Sequence, residues 1–113
     1  MVLSGGSSFG LDAATGAQAW LREQGRGVQF GNTVVPKAPG AICFDLMNGG
    51  DKNWGKFPPY RELAYDACVA AGADFALGTA GGGYGATTVD LKGGLGSASV
   101  VASAGPTVGA LGI

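Results

Sequence analysis

The chain has 113 residues, 46% of them hydrophobic and only 13% charged, with seven Lys and Arg against eight Asp and Glu for a net charge of −1. Such a composition excludes a disordered chain, which needs low hydrophobicity and high net charge, and the length allows no more than one domain. The cations are scattered, so no basic stripe is offered to nucleic acid.

No stretch reaches the roughly 18 to 20 uninterrupted apolar residues of a membrane helix. Met1-Val2-Leu3-Ser4 has no charged leader before a long apolar run, so a cytoplasmic location without membrane association is expected. So little charge leaves apolar faces uncovered, and a homo-oligomer or a missing remainder of the polypeptide is the expected cover. The sequence contains no histidine. A Ser-His-Asp or Cys-His triad and a His-containing zinc site therefore cannot be assembled from these residues alone, and no metal or cofactor is expected.

In chain order, Met1 to Leu3 reads as the end of a buried strand leading into a Gly5 to Gly10 turn. A first helix is predicted from about Leu11 to Gln24, with Leu11, Ala14, Ala17 and Leu21 at helical spacing and Gly25 as its terminating residue. Gly6-Ser7-Ser8-Phe9-Gly10 matches Gly-x-Ser-x-Gly between strand and helix, the setting of a nucleophile elbow. Without a histidine base it reads as a packing turn, in which Ser8 is left to bond a ligand or cap the helix.

Val28 to Val35 alternates weakly around a Gly31-Asn32 turn, and Ala41-Ile42-Cys43-Phe44 is an apolar run suited to a strand buried on both faces. Asp45, at its end, is either a turn former or a site carboxylate. Phe44 on the same strand reads as core. Met47 to Trp54 is a loop, and Pro58-Pro59 open a second helix. Its stripe, Tyr60, Leu63, Ala64, Ala67, Cys68 and Ala71, predicts one buried face, with Arg61, Glu62 and Asp66 turned away and Gly72 as cap. Cys43 and Cys68 read as buried free thiols.

From Gly78 to Ser99 the chain is dense in glycine, as where backbone approaches a ligand or another backbone closely. Gly81-x-Gly83-x-x-Ala86 imitates a dinucleotide fingerprint, but the β-branched residues that follow cannot open the required helix. Within this stretch Tyr84 either lines a cavity or lies over the turn. Lys92 is either an exposed turn lysine or a group that pairs with Asp90, holds a carboxylate, or acts as a base. Two strands, Ser97 to Ser103 and Thr107 to Ile113, are predicted to form a hairpin across Ala104-Gly105-Pro106. Ending on Leu-Gly-Ile, in the middle of an apolar strand, suggests a chain cut short.

Six blocks carry a family resemblance. They are Gly5 to Ala14, Trp20 to Gly25, Val35-Pro36, Ala41 to Leu46, Gly83 to Thr87 and Lys92 to Ser99. In this order they closely resemble the P1-type (S58, DmpA-like) aminopeptidases, a group that includes L-aminopeptidase/D-esterases, β-peptidyl aminopeptidases and nylon-oligomer hydrolases.

The resemblance implies an α/β fold that forms part of an αββα sandwich like that of the N-terminal nucleophile hydrolases, with two helices packed on a mixed sheet. It implies a self-cleaving precursor whose freed Ser or Thr uses its own amine as base and needs no histidine. The substrates implied are short peptides, amides or esters with a free amine. Residues 1–113 would then be a single partial domain, the middle of the large subunit.

No catalytic residue falls within this chain on that reading, because the nucleophile segment and a supporting Asn are expected beyond Ile113, and the chain alone is expected to be inactive. Ser8, Phe44, Asp45, Tyr84 and Lys92 are the expected substrate-pocket residues. Phe44 stands where some members carry a pocket Tyr, whose hydrogen bond it cannot donate; Asp90 stands where some carry a Lys, and that role passes to Lys92. Gly31-Asn32-Thr33 copies the family's cleavage signature at a place where members are not cut. The alternative reading is a standalone α/β binding or assembly module that oligomerises and has no catalytic role.

Overall fold

The computed structural model describes residues 1–113. A short strand β1 (Val2–Ser4) leads through a turn and a 3-10 segment (Ser7–Asp12) into helix α1 (Ala13–Glu23). Then come β2 (Val28–Phe30), β3 (Thr33–Val35), β4 (Gly40–Ile42), helix α2 (Tyr60–Ala70), a 3-10 turn (Gly81–Gly83), β5 (Thr87–Thr88), β6 (Leu91–Lys92), β7 (Gly96–Val101) and β8 (Thr107–Gly112). The result is α/β, as expected.

α1 begins two residues later than predicted because Leu11 and Asp12 belong to the 3-10 segment. It ends as predicted. Gly25, at φ +65, donates its N–H to Arg22 O (3.0 Å), and Arg26 N donates to Leu21 O (2.8 Å), the paired bonds of a Schellman motif. Gly31-Asn32 closes the β2–β3 hairpin, with Phe30 opposite Thr33; Gly31 supplies the positive φ that a type II′ turn needs at its first position.

The centre of the fold is the α1–α2 contact. Ala13, Gly16 and Ala17, one face of α1, are buried against α2, where Ala64 is the buried partner. A Cβ on Gly16 would stand 1.9 Å from Arg61 O, so the two backbones meet with no room for a side chain.

That approach turns α2 away from the predicted orientation. Arg61, expected to face outward, reaches back to Asp12 (Nη2 to Oδ1, 3.1 Å), and Tyr65 Oη donates to Glu23 Oε2 at 2.5 Å. Of the predicted apolar stripe only Ala64 is buried, and Leu63 remains 56% exposed. The correction has a simple cause: small residues on α1 select the side of α2 that permits closest approach, and that side is not its most apolar one. Gly72 is not a left-handed cap either, since α2 runs out through Ala71 in extended conformation.

The expected single mixed sheet is resolved into four two-stranded ladders. β1 pairs in parallel with β4, and β2–β3, β5–β6 and β7–β8 are antiparallel. β4 starts one residue before and ends two residues before the predicted Ala41–Phe44 run, and it is exposed, not buried on both faces, because no further strand or helix covers its outer side. The β7–β8 hairpin is fully paired over six residues per strand, and every one of them is exposed.

No large side chain is fully buried. The accessible surface is 7805 Å², against about 5,700 Å² for a self-contained domain of this mass. The radius of gyration is 16.0 Å, against about 13 Å for a compact domain of this length. Roughly 2,000 Å² of surface is thus in excess of what a domain with its own core exposes.

Candidate functional site

β1 and β4 run parallel in register, Leu3 opposite Ala41, so their carboxyl ends open on the same side. Two loops leave there, Gly5-Gly6-Ser7 and Cys43-Phe44-Asp45. They stay joined, with Cys43 N donating to Ser4 O at 2.9 Å and Ser7 N to Cys43 O at 3.0 Å. A crevice at the carboxyl ends of parallel strands is where α/β folds place ligands. Here it opens into a cleft of about 910 Å³.

One side of the cleft is the α2 stripe, including Tyr60, Leu63, Ala67 and Ala71, which the packing of α1 leaves free. The other is built of glycine loops and polar side chains, including Gly5, Gly82, Gly85, Asp45, Asn48, Lys52, Tyr84 and Lys92. Asp45 Oδ1 accepts the Gly6 N–H at 2.6 Å. Asn48 N donates back to Asp45 O (3.3 Å), and Asn48 Nδ2 donates to Gly85 O (3.1 Å). The Asp45–Asn48 turn therefore clasps the two glycine loops together. A Cβ on Gly5 would stand 2.0 Å from Asp45 Oδ2, and one on Gly85 2.6 Å from the same atom. Glycine at these positions is what leaves room for the carboxylate.

Tyr60 covers Gly6, which adopts φ +85, with its ring where a Cβ would otherwise be. Partial burial, and secondarily the negative charge of Asp45, push the Tyr60 phenol above the ordinary tyrosine value of 10.0. The folded protein thus holds this proton more tightly than the unfolded chain. The contribution to stability is intact below about pH 10 and is lost as pH rises through the folded-state value. In a spectrophotometric titration Tyr60 is expected to ionise later than free tyrosine, and Asp45→Asn to bring it part of the way back; a Tyr60 titrating at the free value would contradict this arrangement.

Lys92 Nζ donates to three backbone carbonyls, Gly93 O (2.7 Å), Gly83 O (3.0 Å) and Ala86 O (3.4 Å). It has no bond to Asp90. With its three N–H groups engaged, it fastens the glycine loop and has no lone pair to offer as a base. Lys52 is held in a similar way, by Gly49 O and by Asn48 Oδ1 at 3.3 Å.

Of the five residues expected in the pocket, Asp45, Tyr84 and Lys92 line the cleft, whereas Ser8 and Phe44 do not. Ser8 is exposed on the 3-10 segment and caps neither helix. Phe44 is 60% exposed, not core as its strand suggested. Tyr60 and Asn48 were not singled out for the site from sequence, although each carried a signal. Tyr60 heads the α2 stripe, and Asn48 stands three residues after Asp45, the spacing that closes a turn. Cys43 and Cys68 are free, as expected, and half-buried.

Thr33 lies outside the cleft, in the β2–β3 hairpin. The Asn32–Thr33 bond is expected to stay intact, and intact mass should show no fragments split before Thr33; two such fragments would overturn that expectation.

No helix is long and apolar enough to cross a membrane, and no group of three or more His, Cys, Asp or Glu is placed to hold a metal ion. Comparison with known proteins supplies the family. A profile of peptidase family S58 matches residues 1–112. Uncharacterized aminopeptidases of Mycobacterium bovis and Mycobacterium tuberculosis are each 48% identical to the chain over 113 residues. The match covers 100% of this chain and 32% of each relative. An uncharacterized aminopeptidase of Mycobacterium leprae is 45% identical over 119 residues, covering 98% of this chain and 32% of its own length. The chain thus spans about a third of the length of these relatives, and with residues 1–112 matched it belongs to peptidase family S58.

Proposed function

We propose that these residues form one wall of the substrate cleft in a cytoplasmic, self-cleaving aminopeptidase or amide hydrolase. Its Ser or Thr nucleophile is carried on a segment outside the 113 residues. The observation that carries this reading is the open cleft. The α2 stripe and the clasped glycine loops form two sides of a site, while roughly 2,000 Å² of surface in excess of a closed domain awaits cover. On this reading the remainder completes an αββα sandwich, the ladders join into continuous sheets, and residues 1–113 are a partial domain of an oligomeric enzyme.

The substrate class is a short peptide, amide or ester with a free amine. The cleft wall contributes shape, the Asp45 charge and ordered backbone groups; the attacking hydroxyl and its base, the nucleophile's own amine, come from the missing segment. The full-length protein tests this directly. Intact mass should show a split before a Ser or Thr lying outside these residues. A full-length chain that hydrolyses aminoacyl p-nitroanilides while remaining uncut would overturn the N-terminal nucleophile.

A second reading, a module that oligomerises without catalysis, draws on the exposed edges of the β7–β8 hairpin. It requires a folded oligomer of the 113-residue chain in size-exclusion chromatography.

A further inference from the structure

One part of the cleft lining is a loop that the rest of the fold holds only by side chains. Gly49, Gly50, Asp51 and Lys52 line the cleft, yet no backbone–backbone hydrogen bond ties residues 49–58 to any other part of the protein. The loop is fastened at two points. At one end Asn48 Nδ2 donates to Gly85 O at 3.1 Å. At the other, the half-buried Trp54 packs edge-on between Phe9 and Tyr60, with ring centroids 5.7 and 6.0 Å apart. Tyr60 is itself a cleft residue on α2, and Phe9 stands on the 3-10 segment that leads out of the Gly5-Gly6 turn. Trp54 therefore connects the loop to both walls.

Between its two fastenings the loop keeps a shape of its own. Asn53 N donates to Asp51 Oδ1 at 2.7 Å, and Lys52 Nζ to Asn48 Oδ1 at 3.3 Å. Gly49 and Gly50 adopt φ +84 and +74, and a Cβ on Gly49 would meet nothing within 4 Å, the open setting in which a hinge can turn. The backbone N–H groups of Gly49, Gly50, Asp51 and Lys52, four in succession, donate to no acceptor in the protein. A segment with so few backbone bonds opens and closes at the least cost in the fold. A ligand can draw it inward only through contacts made in the closed position alone, and free N–H donors supply such contacts.

We propose that residues 49–53 are a strap that closes over the cleft on a hinge at Gly49-Gly50, its backbone N–H groups donating to acceptor oxygens of the bound molecule. Trp54 is the anchor of this strap, and through Tyr60 it carries occupation of the cleft to the loop. The inference rests on the peptidase reading above for the kind of molecule bound, and adds which part of the cleft moves and which atoms of that molecule it meets. The internal bonds of Lys52 and Asp51 let the strap move as a unit. Side-chain packing at Trp54 can give way and re-form without breaking any backbone ladder, because none passes through residues 49–58.

The test is amide hydrogen exchange in the full-length protein, with leucine and isopentylamine as probes. Leucine has an amine, an apolar side chain and acceptor oxygens but no bond to hydrolyse; isopentylamine is the same molecule without the carboxylate. Leucine should slow exchange across residues 49–53 by roughly tenfold or more, while isopentylamine should leave it unchanged. Trp54→Ala should lose the slowing by leucine. No slowing with leucine up to its solubility limit, equal slowing by isopentylamine, or slowing that survives in Trp54→Ala would overturn the strap. If circular dichroism shows that Trp54→Ala does not fold, the two probes in the wild type decide alone. Hydrolysis of alanyl p-nitroanilide in the same preparation separates the two claims. Turnover without slowing sinks the strap and leaves the peptidase reading; slowing by leucine without turnover does the reverse.

Discussion

Gly16→Ala is expected to lower stability by about 1–3 kcal/mol, the usual cost of forcing atoms into a filled contact. The sign makes this informative. On helix propensity alone, alanine in a helix interior is better than glycine by about 1 kcal/mol. The added methyl, however, would stand 1.9 Å from the backbone oxygen of Arg61, and backbone cannot rotate aside as a side-chain tip can. α1 and α2 must then separate, opening the Ala13, Ala17 and Ala64 contact and pulling Arg61 from Asp12. The lost ion pair itself adds little, because at 54% and 29% side-chain exposure it is a surface pair. Urea unfolding midpoints of wild type and Gly16→Ala measure the difference; a more stable variant would mean that the helices do not meet backbone to backbone.

The second large effect is expected at Lys92. Lys92→Met keeps an unbranched side chain one atom shorter and removes the three N–H donors shared among the Gly83, Ala86 and Gly93 carbonyls. Hydrogen bonds to a charged donor contribute about 1.5–3 kcal/mol when sheltered, and the partial exposure here reduces the expectation to about 1–2 kcal/mol. The loss should be local. The glycine loop is closed at its base by the mutual bonds of Gly78 and Leu95, both 2.7 Å, and by Gly93 N to Ala86 O at 2.8 Å. Faster hydrogen exchange at the Gly93 and Leu95 amides is therefore expected, with α1 unchanged. Lys92→Arg should rescue poorly, since a planar fork cannot converge on three carbonyls as an ammonium does. Unchanged exchange in Lys92→Met would show that the loop is held by its backbone alone.

These two positions also show what could be read from sequence. The α1 terminus at Gly25, the Gly31-Asn32 turn and the β7–β8 hairpin were legible because each depends on local backbone preference. The orientation of α2 was not, because it depends on how closely a second helix can approach. Hydrophobic periodicity reports which face is apolar, whereas contact at Gly16 selected the face that is smallest. The same limit applies to the sheet. Ala41 to Phe44 is patterned for burial on both sides, yet Ala41, Ile42 and Phe44 lie exposed, because hydrophobic pattern does not report whether another strand or helix packs on that side. In the site, Tyr84 and Lys92 reach the cleft on the glycine-dense stretch that composition flagged, and Asp45 reaches it from the end of an apolar run. Tyr60 joins them from a distant helix; its place at the head of the α2 stripe was legible, but its approach to Gly6 depends on tertiary packing that no local pattern gives. Phe44 adjoins the cleft residue Asp45 in sequence and Ser8 follows Gly5 by three, yet neither lines the cleft, Ser8 because it lies exposed on the 3-10 segment.

The proposal that this chain is a cleft wall awaiting its nucleophile is tested most directly by assaying the 113-residue chain against alanyl p-nitroanilide, beside the full-length protein. The full-length protein should release p-nitroaniline and the 113-residue chain should release none. Turnover by the 113 residues alone, abolished by no Ser or Thr substitution other than Thr33, would put the nucleophile inside this chain and contradict the account.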